Sequence, residues 1–377
     1  MRNCFLIVIC MVCFLIVDCK KESTSSDTSE YTYQIPVQKN DGWETASLSH
    51  VNMDPTPIIS MMNELLKRDN HGIHSILIIK DSKLVFEEYF NGKDLYSSYK
   101  TFGPEVVHCL CSVTKSFTSA LLGIALDNRF ISATEEKMFS YFPDYSDLYD
   151  DEKGKITLHH LLTMTSGLEW DEHSYSFTDP RNDLRQFNDS ADPIRYLLQK
   201  PVVHTPGTFF RYNGGAVNLL GEIIHRASGL GIEDFSMEYL FEPLGITDFR
   251  WLILEPSGLT YTSGDLHLRP RDMAKFGYLF LNGGSWKGKR IISPKWINES
   301  TQGYSLDGAY GYLWWLRTYQ IGSRRIESYH AGGWGGQFII VVRELNMVVV
   351  FTGGNFNTDG DTPVFSRVES YILPAAL

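Results

Sequence analysis

Ser112 and Lys115 stand three residues apart in the run Cys111-Ser112-Val113-Thr114-Lys115-Ser116-Phe117-Thr118. Val113, Phe117, Ala120, Leu121 and Ile124 recur at the spacing of one helix face, so this run is predicted to open a helix. Residues three apart lie one turn from each other on the same side of a helix. A hydroxyl and an amine therefore meet at a helix N-terminus. Serine is a weak nucleophile until a base takes its proton, and a lysine held neutral can be that base. Backbone N–H groups left free at the helix start can receive a developing anion. Ser and Lys at this spacing also occur on ordinary solvated helix faces, so the pair takes its meaning from the rest of the chain.

The elements that must position this pair come from both ends of the sequence. Asp54-Pro55 reads as an N-cap with proline at the first helical position, and Ile58, Met61, Met62, Leu65 and Leu66 give that helix an apolar face. His74–Lys80 and Lys83–Phe90 read as two strands joined by a tight turn at Asp81-Ser82. From the Ser112 helix to about residue 300 the chain reads as helices and loops, broken at Gly167, Pro193, Pro206-Gly207, Gly229, Pro243, Gly245 and Gly283-Gly284. Strand patterns return at Ala309–Tyr319, Ser323–His330, Gln337–Glu344 and Met347–Gly353, with Leu345-Asn346 as a hairpin turn and Pro363–Ile372 as a closing helix. The expected fold is α/β (α+β): an antiparallel sheet built from N- and C-terminal segments, flanked by helices, with an inserted helical lobe.

Chain order and wording resemble the beta-lactamase-related serine hydrolases, over roughly residues 55–355. That group includes class C beta-lactamases, D-alanyl-D-alanine carboxypeptidases, related esterases and 6-aminohexanoate-dimer hydrolase-like amidases. The family's first motif is Ser112 to Lys115. Its Tyr-x-Asn element reads Tyr212-Asn213-Gly214, framed by Pro206-Gly207 and Leu219-Leu220-Gly221. Its Lys/His-Thr-Gly element reads His330-Ala331-Gly332-Gly333. Three scaffold stretches are also family-like: Ile156–Leu168, Leu240–Ile246 and Arg269–Gly277.

The resemblance implies a beta-lactamase/transpeptidase-like fold, with Ser112 as nucleophile, Lys115 as base and Tyr212 as proton carrier. It also implies an oxyanion hole made by the N–H groups of Ser112 and Gly333, such donors contributing about 2.7–4 kcal/mol each. Gly332 and Gly333 would leave a substrate's approach unblocked. Three positions depart from the pattern. Gly214 stands where the family has an amide, and Asn213 is the nearest amide left to stand in. His330 and Ala331 replace the lysine and hydroxyl residue that help bind a substrate carboxylate. These departures move the expectation from beta-lactamase or peptidase toward hydrolysis of a small ester or amide through a Ser112 acyl-enzyme. A D-alanyl-D-alanine carboxypeptidase or beta-lactamase, and a penicillin-binding-like protein that binds without turnover, are the alternatives.

Other chemistries fit less well. There is no G-x-S-x-G elbow. Gly283–Arg290 has P-loop spacing but ends Gly288-Lys289-Arg290, without the hydroxyl that holds Mg²⁺. His204, His225 and His267 have no acidic or histidine partner at helical ligand spacing, so no metal site is expected, and no cofactor. Glu169, Asp171 and Glu172 read as a solvated loop rather than a deacylating base. Of the aromatic cluster Tyr310, Tyr312, Trp314 and Trp315, alternation assigns half to the core and leaves half to line a cleft.

A net charge of -11 speaks against general nucleic-acid binding, while small-molecule ester, amide or peptide substrates remain open. The 43% hydrophobic content is that of a globular protein. Residues 1–19 form a separate segment: Arg2, an apolar run from Phe5 to Val17, then Asp18-Cys19-Lys20-Lys21. The run is short for a membrane span and resembles a bacterial lipoprotein signal with Cys19 as the lipidated residue, although Asp18 stands where a small residue is usual. An uncleaved N-terminal anchor is the alternative. Either places the body outside the cytoplasm, in the periplasm or cell envelope, tethered to a membrane. Residues 20–53 are expected as a flexible tether and 54–377 as the hydrolase domain. Four of the six cysteines lie in the first segment, and Cys109 and Cys111 in the body read as packing residues. Oligomeric state is left open.

Overall fold

The computed structural model describes residues 30–68, 71–356 and 362–377. The 1–19 segment and Cys19 lie outside the described residues. One mixed sheet of seven strands organises the chain. In chain order these are β1 (Glu44–Thr45), β2 (Ile73–Lys80), β3 (Lys83–Tyr89), β4 (Trp315–Ile321), β5 (Arg324–Gly333), β6 (Gln337–Val342) and β7 (Met347–Gly353). Their spatial order is β1-β3-β2-β7-β6-β5-β4. All neighbours are antiparallel except the short β1–β3 pair. N-terminal and C-terminal strands meet where β2 pairs with β7, which is the predicted architecture.

The central strands are apolar on both faces because both are covered. Leu77, Ile79, Ile339, Val341, Val348 and Val350 face a core that includes helices α2 (Thr114–Asp127), α3 (Gly214–Ser228) and α4 (Pro270–Leu281). Ile76, Ile78, Ile340, Val342, Val349 and Phe351 face α1 (Pro55–Leu66) and a C-terminal helix that starts at Thr362–Arg367 and runs on to Leu373–Ala375. Asp54 caps α1 by accepting from the Thr56 N–H, with Pro55 at the first helical position. Asp81 and Ser82 turn β2 into β3 with φ of 50° and 67°.

Two expectations are corrected. Residues 30–53 are not a free tether: the described part is folded onto the sheet. Trp43 is buried and donates to the Arg271 carbonyl, the Tyr33 hydroxyl donates to Val85 O, and Arg271 bridges Asp41 and Glu87. A few aromatic anchors in a polar stretch suffice to dock it. The strand expected from Ala309 begins only at Trp315. Leu313, with φ of 62°, turns the chain there. Tyr310, Tyr312 and Trp314 are all buried, and of the four aromatics only Trp315 is half-exposed.

Candidate active site

Ser112 lies in a tight 3-10 turn, Cys111–Val113, that runs directly into α2. The turn is entered through Cys111 at φ 46°, in the left-handed region a non-glycine residue rarely adopts. Strain of this kind collects at functional sites. Ser112 is half-exposed, whereas Lys115, one turn on, is 3% exposed. Lys115 Nζ lies 3.0 Å from Ser112 Oγ and donates to the Ser263 carbonyl at 2.6 Å. The amine is therefore held at the nucleophile by a second, fixed acceptor.

That acceptor belongs to a strap, residues 262–266, which α2 stitches down one residue at a time. Thr118 Oγ1 donates to Thr262 O, Lys115 to Ser263 O, and Thr114 Oγ1 accepts from the Leu266 N–H. Asn218, wholly buried in α3, fixes the strap from the other side. Its Oδ1 accepts from Ser263 N–H at 3.0 Å and from the Thr262 hydroxyl at 3.3 Å, and its Nδ2 donates to Ser263 Oγ at 3.1 Å. Asn218 and Ser263 were not singled out in the sequence. Asn218 did carry a signal: it is a lone amide in the run Ala216-Val217-Asn218-Leu219-Leu220. Ser263 carried none.

Tyr212 joins the pair as its motif implied. Its half-buried ring lies over Lys115 Nζ, 4.8 Å from centroid to nitrogen. Trp315 stacks on it at 6.0 Å, and His173 packs beside it at 5.4 Å. Gly333 is also brought to Ser112. A side chain there would put its Cβ 2.4 Å from Leu110 O and 3.2 Å from Ser112 N, so only glycine allows this approach. Pairing of β4 with β5 stops at His330, so among the described residues no strand pairs with the outer edge of residues 331–333.

Three of the weaker site expectations do not hold. Asn213 does not replace the missing amide: it is 1% exposed, and its Oδ1 caps α3 by accepting from the Ala216 N–H. His330 turns into an aromatic pocket, with Phe365 at 5.0 Å and Phe338 at 5.9 Å, and burial pushes its pKa down to about 3. It is neutral at physiological pH and offers no charge to an anion. Gly332 faces Phe338, not Ser112. Glu172, expected in a solvated loop, is half-buried and tied in. Its Oε2 accepts from Trp170 Nε1 at 2.6 Å and from Gly214 N–H at 2.7 Å. A Cβ on Gly214 would come within 3.1 Å of that oxygen. A carboxylate thus stands beside the place where the family carries an amide.

The curated 6-aminohexanoate-dimer hydrolase of Paenarthrobacter ureafaciens is 23% identical over 266 residues, covering 64% of this chain and 63% of the relative. Monacolin J acid methylbutanoyltransferase of Aspergillus terreus is 32% identical over 184 residues, 43% of this chain and 42% of the relative. The chain thus spans less than two thirds of the length of these curated relatives. A family VIII carboxylesterase has the same fold, with TM-score 0.65 at 16% identity over 85% of this chain and 97% of its own. The Beta-lactamase family model matches residues 61–373, nearly the whole described chain, and the chain belongs to that family.

Proposed function

We propose that this protein hydrolyses an ester or small amide through an acyl-enzyme on Ser112. The single observation that carries the reading is the buried Lys115 amine held 3.0 Å from an accessible Ser112 hydroxyl. Ser112 Oγ attacks the substrate carbonyl carbon while Lys115 takes its proton. The N–H groups of Ser112 and Gly333 hold the tetrahedral oxyanion. Tyr212, over the lysine, passes the proton to the leaving alcohol or amine as the C–O or C–N bond breaks. Water then attacks the Ser112 acyl ester, releasing the acid and restoring the serine.

Substrate preference follows from charge. A neutral His330, Ala331 and the Glu172 carboxylate offer no cation to a substrate carboxylate, which favours neutral esters and amides over beta-lactams. The carboxylesterase among the similar proteins is consistent with that preference. The test is turnover of a short-chain p-nitrophenyl ester by the detergent-solubilised chain, wild type beside Ser112→Ala. Hydrolysis lost in the variant is expected, and equal hydrolysis by both removes the assignment. Gly214 favours a second reading, a ligand-binding protein acylated without turnover. Stoichiometric labelling of Ser112 with no product release would select it, and release of D-alanine from a peptide stem would instead select a carboxypeptidase.

The N-terminal sequence supports export and membrane tethering through Cys19. Incorporation of labelled palmitate that is lost in Cys19→Ala is the expected result. Unlabelled protein in the membrane fraction points to an uncleaved anchor, and protein in the cytosol contradicts export.

A further inference from the structure

Beside the Ser112 turn, three potential ligands converge. Cys109 Sγ lies 3.7 Å from Cys111 Sγ and 3.0 Å from Asp265 Oδ1. All three donor atoms lie within 4.8 Å of one another. We propose that this cluster is a zinc site, with Cys109 and Cys111 thiolates and the Asp265 carboxylate as ligands and water in the fourth position.

The distances suit that ion. Two thiolates at about 2.3 Å from a tetrahedral zinc lie about 3.8 Å apart, and a thiolate and a carboxylate oxygen about 3.5 Å apart. The sulfurs already stand at the first separation. Asp265 has to draw back by about half an ångström from Cys109 to reach the second. A disulfide would instead require closing 3.7 Å to about 2.05 Å. Two sulfurs and one oxygen select a borderline-soft d¹⁰ ion over Ca²⁺ or Mg²⁺.

The surroundings are those of a built site. Both cysteines are buried, covered by Phe356 and Leu95, while Asp265 is half-exposed and gives an ion a way in. Two of the three ligands sit on strained backbone, Cys111 at φ 46° and Asp265 at φ 60°. Binding Zn²⁺ forms two Zn–S bonds and one Zn–O bond and releases the two thiol protons to solvent.

The position gives the ion a consequence. Cys111 directly precedes Ser112, and Asp265 lies two residues after Ser263, whose carbonyl holds Lys115. Zinc would clamp the nucleophile turn to the strap that aims the base. The site was invisible in sequence because Asp265 lies 156 residues from Cys109.

The test uses the full chain, reduced and stripped with chelator. Zn²⁺ is added in a calorimeter and Co²⁺ in a spectrophotometer. The four N-terminal cysteines are common to every variant, so the site is read as the difference between wild type and Cys109→Ala/Cys111→Ala. One more equivalent of zinc in the wild type is expected, with a thiolate-to-cobalt charge-transfer band that the double variant lacks. Asp265→Ala, which keeps both thiols, decides the matter if the double variant fails to fold. It should bind zinc more weakly by at least the about 10–100-fold that losing an outer partner of a ligand costs, while retaining the band. Equal zinc uptake in wild type and double variant, unchanged affinity in Asp265→Ala, or a Cys109–Cys111 disulfide in the unreduced protein would each overturn the proposal.

Discussion

Asn218 makes its hydrogen bonds to the strap and not to Ser112 or Lys115, yet the strap geometry makes it necessary for turnover. Replacing it with leucine removes three hydrogen bonds to Thr262 and Ser263. The Ser263 N–H, buried within the strap, is left without its acceptor. A stranded buried donor costs about 1–3 kcal/mol, and each of the other two bonds contributes about 1 kcal/mol. The net loss is about 3–5 kcal/mol, which in urea moves the unfolding midpoint down by about 1–2 M. The kinetic effect is separate. Lys115 is held by Ser263 O at 2.6 Å. A strap that shifts by about an ångström misplaces the amine and lowers kcat by about 100-fold. KM for a p-nitrophenyl ester should barely move, because Asn218 lies behind the strap. Asn218→Asp keeps oxygen acceptors for Ser263 N–H and the Thr262 hydroxyl, so its kcat should exceed that of Asn218→Leu even though burying a carboxyl costs stability. Folded Asn218→Leu with wild-type kcat would refute the claim that the strap aims the base.

Trp43→Ala should destabilise the protein by about 3–5 kcal/mol and leave the kcat of the folded fraction unchanged, as read by denaturant titration beside kinetics; a loss under 1 kcal/mol would restore the tether reading of residues 30–53. Gly333→Ala should abolish ester turnover, because its Cβ would stand 2.4 Å from Leu110 O; a folded, active variant contradicts the close approach. Stability should also fall in acid. Burial lowers His108 to about 4 and His330 to about 3, so the unfolded chain binds more protons than the native one below pH 6.5. Each therefore withdraws stability as pH falls from 6.5, on the order of 2 kcal/mol by pH 5. His330→Leu should flatten that slope by its share, and an unaltered slope contradicts a buried neutral histidine.

The parts of the fold legible in sequence were those written in local spacing. The Asp54-Pro55 cap, the Asp81-Ser82 turn and the apolar strands on each side of the lobe reappear nearly as expected. Ser112 and Lys115 were legible because one helical turn joins them. Tyr212 and Gly333 were placed by their motifs, and no spacing argument could have brought them there. What stayed hidden depends on contacts across the chain. Trp43 reaches Arg271, 228 residues away, from within a polar stretch that reads as linker. Ser263 meets Lys115 across 148 residues. The motif position of His330 implies a ring facing the substrate. Which pocket its ring enters is set instead by Phe338 and Phe365, and the latter comes from the C-terminal helix. Asn213 sits where a helix starts, and capping α3 takes its side chain.

The central claim is that Ser112 becomes acylated during turnover. Quenching the protein in acid while it hydrolyses a p-nitrophenyl ester, then mapping its peptides by mass spectrometry, measures this directly. The substrate's acyl mass is expected on the peptide carrying Ser112, at that residue, with neither adduct nor turnover in Ser112→Ala. Turnover that proceeds in Ser112→Ala, or an acyl group mapped to another residue, would contradict it.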